Sequence, residues 1–159
     1  MVEKMMCPER YRARVRRIRA WALAHGRPVD TTALQVILLV KQERCTEAFD
    51  CWTLDGLGEF IWTDVVGWCA LNDVPRPAGV AETLWSYLAF LDEVGELTAS
   101  SDDVELLQRS LVAYGGLNRA GRARNGSRAG QRRRPSAAAD LAPVVPIRAA
   151  FSRHATLGA

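Results

Sequence analysis

The sequence predicts an all-α fold, a compact bundle of about five helices with a disordered basic C-terminal tail. The chain has 159 residues, of which 48% are hydrophobic, and this suffices to build one core of ordinary size. Most of the segments with apolar residues at helical spacing end at glycine, proline or asparagine. We therefore expect a flexible N-terminus at residues 1–8, a helical domain at 9–116 and an Arg/Ala/Pro-rich disordered tail at 117–159.

The first predicted helix spans residues 9–24 and ends before Gly26 and Pro28. Its apolar residues form one narrow stripe: Tyr11, Val15, Ile18 and Ala22. Arginines flank the stripe, with Arg12, Arg16 and Arg19 on one side and Arg10, Arg14 and Arg17 on the other. Trp21 falls among the second set, where a guanidinium can stack on its indole.

The next two helices are predicted from their caps and their apolar faces. Asp30 is a good N-cap for a second helix that runs to about Arg44, although the β-branched residues at 36–40 leave a strand as the alternative. Thr53 is the predicted N-cap of a third helix to about Leu71, whose apolar residues cover more than half of its circumference. This width indicates a helix that packs on several sides.

The fourth and fifth helices complete the predicted domain. The fourth covers residues 80–94, with one apolar stripe and an opposite face that includes Ser86, and a glycine ends it. Ser101 or Asp102 is the predicted N-cap of the fifth helix, which runs to about Tyr114 before two glycines. Acidic residues in the first turn of the fifth helix agree with the direction of the helix dipole.

The charge of the chain changes sign twice along its length. Residues 1–27 carry a net charge of +6, residues 28–116 carry −11, and residues 117–159 carry +8. Most of the last segment is rich in Arg, Ala, Gly and Pro without apolar periodicity, so it cannot bury enough surface to offset its ordering entropy. This order of basic, acidic and basic segments is informative about binding partners and self-association, but it does not predict the fold.

Several function classes find no support in the sequence. No phosphate-binding glycine loop, zinc-protease motif or nucleophile elbow occurs, and the cysteines lack the paired spacing of a zinc site. We therefore expect no enzymatic activity, no metal and no cofactor. The charged N-terminus does not resemble a secretory signal, and no apolar run is long enough to span a membrane. A cytoplasmic protein without membrane contact is expected.

The arginines predict contact with DNA or RNA. A mobile arginine-rich tail can follow a phosphate backbone while the first helix offers a second basic surface, with salt-sensitive and largely sequence-independent affinity. The candidate binding residues are Arg12, Arg16, Arg19, Arg122, Arg124, Arg128, Arg132, Arg133 and Arg134. Three alternatives stay open. The helix arginines can neutralise acids of the body, and the tail can be a solubilising extension or fold back on the acidic domain.

A protein interaction module is the alternative function. The chain has five tryptophans, which is many for a small helical domain, and tryptophan is enriched at the centres of protein interfaces. Trp62 and Trp85 lie at the edges of apolar stripes and are the candidate partner-binding residues. The partner would be another protein or a second copy of this chain.

Residues 62–117 combine a tryptophan-rich helix, a V-P-x-P turn, an L-W-x-Y-L-x-F-L helix and a terminal Y-G-G-L. This pattern resembles small helical proteins of uncharacterised function from GC-rich actinobacteria. The resemblance implies no activity and no site. GC-rich genomes also increase the arginine content of unconstrained segments.

Overall fold

The computed structural model describes residues 8–44 and 50–124, and the regular structure in these residues is helical. The helices are α1 (Pro8–Ala24), α2 (Thr31–Arg44), α3 (Leu54–Glu59), α4 (Val65–Leu71), α5 (Val80–Glu93) and α6 (Val104–Tyr114). A π-helical segment, Phe60–Asp64, joins α3 to α4 without a break, so these three segments form one continuous helix. The described residues thus contain five continuous helices and no strand, which confirms the predicted helical bundle. The strand alternative at residues 36–40 is wrong, because these residues lie within α2.

Two of the predicted N-caps are confirmed by hydrogen bonds from backbone amides to the capping side chains. The Asp30 carboxylate accepts a bond from the amide of Ala33 at 2.7 Å, and the Thr53 hydroxyl accepts one from the amide of Gly56 at 3.2 Å. Each bond satisfies an amide of the first turn that has no partner within its own helix. Both helices therefore begin where the local sequence predicts.

The N-cap of α6 is Asp103, so the prediction of Ser101 or Asp102 is wrong. The Asp103 carboxylate accepts bonds from two amides in the first turn of α6. The Ser101 hydroxyl instead accepts a bond from the amide of Trp52 at 3.0 Å, and the Asp102 carboxylate accepts one from Leu54 at 2.7 Å. These amides lie at the start of α3, 49 and 48 residues away in sequence. Ser101 and Asp102 therefore bind the start of α3 because of the tertiary fold, and they do not cap α6.

α5 is the central helix of the bundle and contacts α1, α2 and α6. The prediction of a single buried stripe is wrong at Ser86, which is buried and donates a hydrogen bond to the carbonyl of Pro28 at 2.6 Å. Thr83 is also buried, and its hydroxyl accepts a bond from the amide of Asp30 at 3.0 Å. Because the loop before α2 supplies these partners, α5 buries two hydroxyls without leaving them unsatisfied.

The folded chain continues beyond the predicted domain end at Gly116. Leu117 is 1% exposed and belongs to the hydrophobic core. Gly121 lies directly against the indole of Trp85. The predicted domain end is therefore wrong, and we call residues 117–124 the C-terminal loop. The sequence did not predict that this loop is folded, because the loop has no apolar periodicity. Its contacts with the core are made to residues that are distant in sequence.

Three segments lie outside the described residues: 1–7, 45–49 and 125–159. The prediction of a flexible N-terminus falls on the first of them, except at Pro8, which is the first residue of α1. The prediction of a disordered tail falls on residues 125–159 once the C-terminal loop is assigned to the domain. No helix in the described ranges is both long enough and apolar enough to cross a membrane.

Candidate nucleic-acid interface

The arginines of α1 divide into two groups, and one group is bound to the acidic body. Arg14 forms an ion pair with Asp50 at 2.5 Å, and Arg17 forms one with Glu96 at 2.5 Å. Both guanidinium groups also lie over aromatic rings of α5. These interactions link α1 to carboxylates and aromatic rings of the rest of the domain. Arg14 and Arg17 therefore neutralise acids of the body and are not available to a nucleic acid in this arrangement.

Arg14, Asp50 and Tyr87 form a partly buried polar network between α1 and α5. Arg14 donates a hydrogen bond to the Tyr87 hydroxyl at 3.0 Å, and that hydroxyl donates to Asp50 at 3.4 Å. Burial raises the pKa of Tyr87, although the nearby Arg14 lowers it in part. Burial by itself lowers the pKa of Arg14, but Tyr87 and the neighbouring carboxylates outweigh it, so this pKa is raised. The network therefore keeps Tyr87 neutral and Arg14 charged.

We expect the domain to lose stability above about pH 10, the pKa of a tyrosine in an unfolded chain. Because the folded-state pKa of Tyr87 is raised, its contribution is fully present below that pH and is lost as the pH rises through the folded-state pKa. Between about pH 9 and pH 11, Tyr87 alone lowers the free energy of unfolding by about 1.4 kcal/mol. Urea unfolding of wild-type and Tyr87→Phe protein at both pH values measures it. Equal losses in the two proteins would show that Tyr87 does not titrate in this way.

Arg12, Arg16 and Arg19 form the second group, and all three are exposed. None of them forms an ion pair with a described residue, although residues 28–116 carry a net charge of −11. Their spacing places them on one face of α1, within roughly 10 Å of helix length. Leu23, which is 83% exposed, lies further along the same face. We call Arg12, Arg16 and Arg19 the α1 arginine face.

Two of the predicted tail arginines, Arg122 and Arg124, lie in the C-terminal loop, and both are exposed. Arg119 is exposed in the same loop, but it is not among the arginines predicted from the sequence. Its one signal was the arginine-rich composition, which does not separate a folded loop from a disordered segment. The other predicted tail residues lie outside the described ranges: Arg128, Arg132, Arg133 and Arg134.

The two candidate partner-binding tryptophans differ in their exposure. Trp62 is 53% exposed, and the Arg76 guanidinium lies over its ring at 4.8 Å from the centroid. Trp85 is 8% exposed and lies beneath Gly121 of the C-terminal loop. Trp85 lies at the edge of its apolar stripe, but a segment distant in sequence covers its indole, so the prediction that it binds a partner is wrong for this surface.

A shallow apolar groove on α6 was not predicted from the sequence. It has a volume of about 300 Å³, and its lining residues are Leu54, Leu106, Arg109, Ser110, Ala113 and Tyr114. Leu106 and Tyr114 are exposed there, although Tyr114 lies at helical spacing from the buried Leu107 and Leu111. The groove offers mainly apolar contact and contains no histidine, cysteine or carboxylate.

The described part of the chain contains no group of three or more His, Cys, Asp or Glu side chains arranged to hold a metal ion. Cys51 and Cys69 are buried free thiols. His25 Nδ1 lies 2.7 Å from the carbonyl of Trp21, and its Nε2 lies 3.3 Å from Glu93. This histidine therefore caps the C-terminus of α1.

No family model, no curated protein and no solved structure matches this chain. The resemblance to actinobacterial proteins and the cytoplasmic location therefore stay predictions. What supports a function for this chain is the geometry of its own residues, above all the exposed arginines of α1 and of the C-terminal loop.

Proposed function

We propose that this protein is a non-enzymatic accessory protein that contacts the phosphate backbone of a nucleic acid through the α1 arginine face. The division of the α1 arginines is the observation that carries this proposal. Arg14 and Arg17 are held by acids of the body, whereas the α1 arginine face is exposed and forms no ion pair with a described residue. A surface that only neutralised the acidic body would place its guanidinium groups against carboxylates.

Guanidinium groups suit phosphate because their planar N–H groups donate paired hydrogen bonds to phosphate oxygens and stay charged at physiological pH. Three of them on one helix face can neutralise several backbone phosphates and release the counterions bound there. Affinity of this kind falls with salt and depends little on base sequence. DNA and RNA share this phosphate chemistry, and a DNA duplex of mixed sequence is a suitable first probe.

Arg16→Gln is expected to weaken binding to such a duplex and to reduce the slope of log affinity against log salt by about 0.9. Arg109→Gln is the matched control, since Arg109 is also exposed on a helix but pairs with Glu105. Each variant removes one positive charge. Fluorescence anisotropy of a labelled duplex over a salt series measures both. Equal losses in the two variants, or no binding by the wild-type protein at about 50 mM salt, would contradict the proposal.

A second function, binding of a partner protein, is favoured by the exposed surface around Trp62. Val66 lies one helical turn further and is also exposed, and Arg76 stacks on the indole. Tryptophan and arginine are both enriched at interface hot spots. The partner that can be tested first is a second copy of the chain. Trp62→Ala should then abolish self-association in sedimentation velocity, and a wild-type sedimentation coefficient that does not change with concentration would exclude this form of the proposal.

A further inference from the structure

The C-terminal loop is held against the domain along its length. Leu117 lies in the core, and the amide of Ala123 donates to the Glu82 carboxylate at 2.7 Å. Gly121 lies so close to Trp85 that an added Cβ would come within 2.4 Å of the indole ring. The beginning, middle and end of the loop therefore each have a fixed contact with the bundle.

Asn118 organises the turn within this loop. Its side-chain oxygen accepts hydrogen bonds from the amides of Ala120 and Arg122, at 2.8 and 3.1 Å. Its own amide donates to the Arg122 carbonyl at 2.7 Å, and its carbonyl accepts a bond from Gly121 at 3.0 Å. Because these bonds lie within the loop, its backbone shape is set without a bound partner.

Three exposed arginines lie on this fixed backbone: Arg119, Arg122 and Arg124. The loop has no acidic residue, and none of the three forms an ion pair with a described residue. Arg124 donates from Nε to the carbonyl of Leu117 at 2.8 Å, which orients its guanidinium on the loop. The domain thus carries three positive charges on a folded segment without using them to balance its own carboxylates.

We propose that the C-terminal loop is a preformed phosphate-binding site for the backbone of a nucleic acid, in which Arg119, Arg122 and Arg124 act together. The inference rests on the proposed function and extends it to a second set of residues. Groups on a folded loop lose less conformational entropy on binding than the same groups on a disordered chain. Affinity therefore depends on the conformation of the loop as well as on its charge, which distinguishes a folded site from a flexible basic tail.

The test measures binding of the full chain to a labelled DNA duplex by fluorescence anisotropy over a salt series. Replacing the three loop arginines with glutamine should reduce the salt slope by about 2.7, the value for three lost phosphate contacts. Asn118→Ala and Gly121→Ala keep every charge but release the loop, and each should weaken binding by about threefold to tenfold. Gly95→Ala is the control and should bind as wild type. Gly95 also has a positive φ, 68°, but nothing lies within 4 Å of an added Cβ.

Two results would overturn the inference: unchanged affinity of both loop-releasing variants, or an unchanged salt slope of the triple glutamine variant. Replacing Arg12, Arg16 and Arg19 with glutamine in the same series tests the proposed function separately. Loss with that variant alone keeps the α1 arginine face and removes the loop site. Loss with the loop variants alone keeps the loop site and removes the role of α1. No binding by the wild-type chain at about 50 mM salt overturns both.

Discussion

Gly121→Ala is expected to lower the free energy of unfolding by about 3 kcal/mol. The added Cβ would lie 2.4 Å from the Trp85 ring, which is far inside van der Waals contact, so the loop or the indole must move. Overpacking of this kind costs about 1–3 kcal/mol, and alanine at the positive φ of 72° adds about 1 kcal/mol or more. The loss is limited by the free energy that holds the C-terminal loop on the domain, because the loop can detach instead.

Gly116→Ala is the control that separates steric contact from backbone strain. Gly116 has a φ of 65°, but nothing lies within 4 Å of an added Cβ there. We expect a loss of about 1 kcal/mol for this variant in urea unfolding. The indole N–H signal of Trp85 in a two-dimensional NMR spectrum should shift strongly in Gly121→Ala only. Equal destabilisation by the two variants would mean that a side chain at position 121 makes no steric clash with the Trp85 ring.

Arg14→Ala is expected to destabilise the domain by about 2 kcal/mol, whereas Arg16→Ala should change its stability by less than about 0.5 kcal/mol. Removal of Arg14 leaves the carboxylates of Asp50 and Glu96 without this cation in a partly buried site. It also removes the hydrogen bond that Tyr87 accepts. Breaking a fully buried pair costs about 3–5 kcal/mol. The expected loss is smaller here because the Arg14 and Asp50 side chains are 26% and 25% exposed.

Urea unfolding at neutral pH measures this difference, and the two substitutions are matched because each removes one arginine from α1. In a double-mutant cycle, Asp50→Asn should remove much of the additional effect of Arg14→Ala, since the two residues form one ion pair. If Arg16→Ala destabilised the domain as much as Arg14→Ala, the division of the α1 arginines into bound and exposed groups would be wrong.

The helices could be predicted because the chemistry that defines them is local. Apolar residues that recur every three or four positions place one face of a helix against a core, and a capping side chain acts on amides of the adjacent turn. For this reason Asp30 and Thr53 were recognisable as N-caps. The same spacing separated Arg12, Arg16 and Arg19 from the arginines on the other side of the apolar stripe.

The candidate site depends on contacts that no local pattern contains. The spacing of the α1 arginines along the sequence shows that they lie on two sides of the helix. It does not show which side forms ion pairs with carboxylates of the domain. Asp50 lies 36 residues from Arg14, and Glu96 lies 79 residues from Arg17. The ion pairs, and therefore the set of arginines that stays exposed, follow from how α1 packs on α5 and on the turns beside it.

By itself, the sequence determined the order of the helices and the two sides of α1, because these depend on neighbours within one or two turns. The tertiary structure alone decided that Ser101 and Asp102 hold the start of α3, that Trp85 is covered, and that the domain includes the C-terminal loop. That loop has no apolar periodicity, and it is held by Leu117 in the core and by Gly121 against Trp85. Burial against distant residues, which composition does not record, therefore places Arg119, Arg122 and Arg124 on the folded domain.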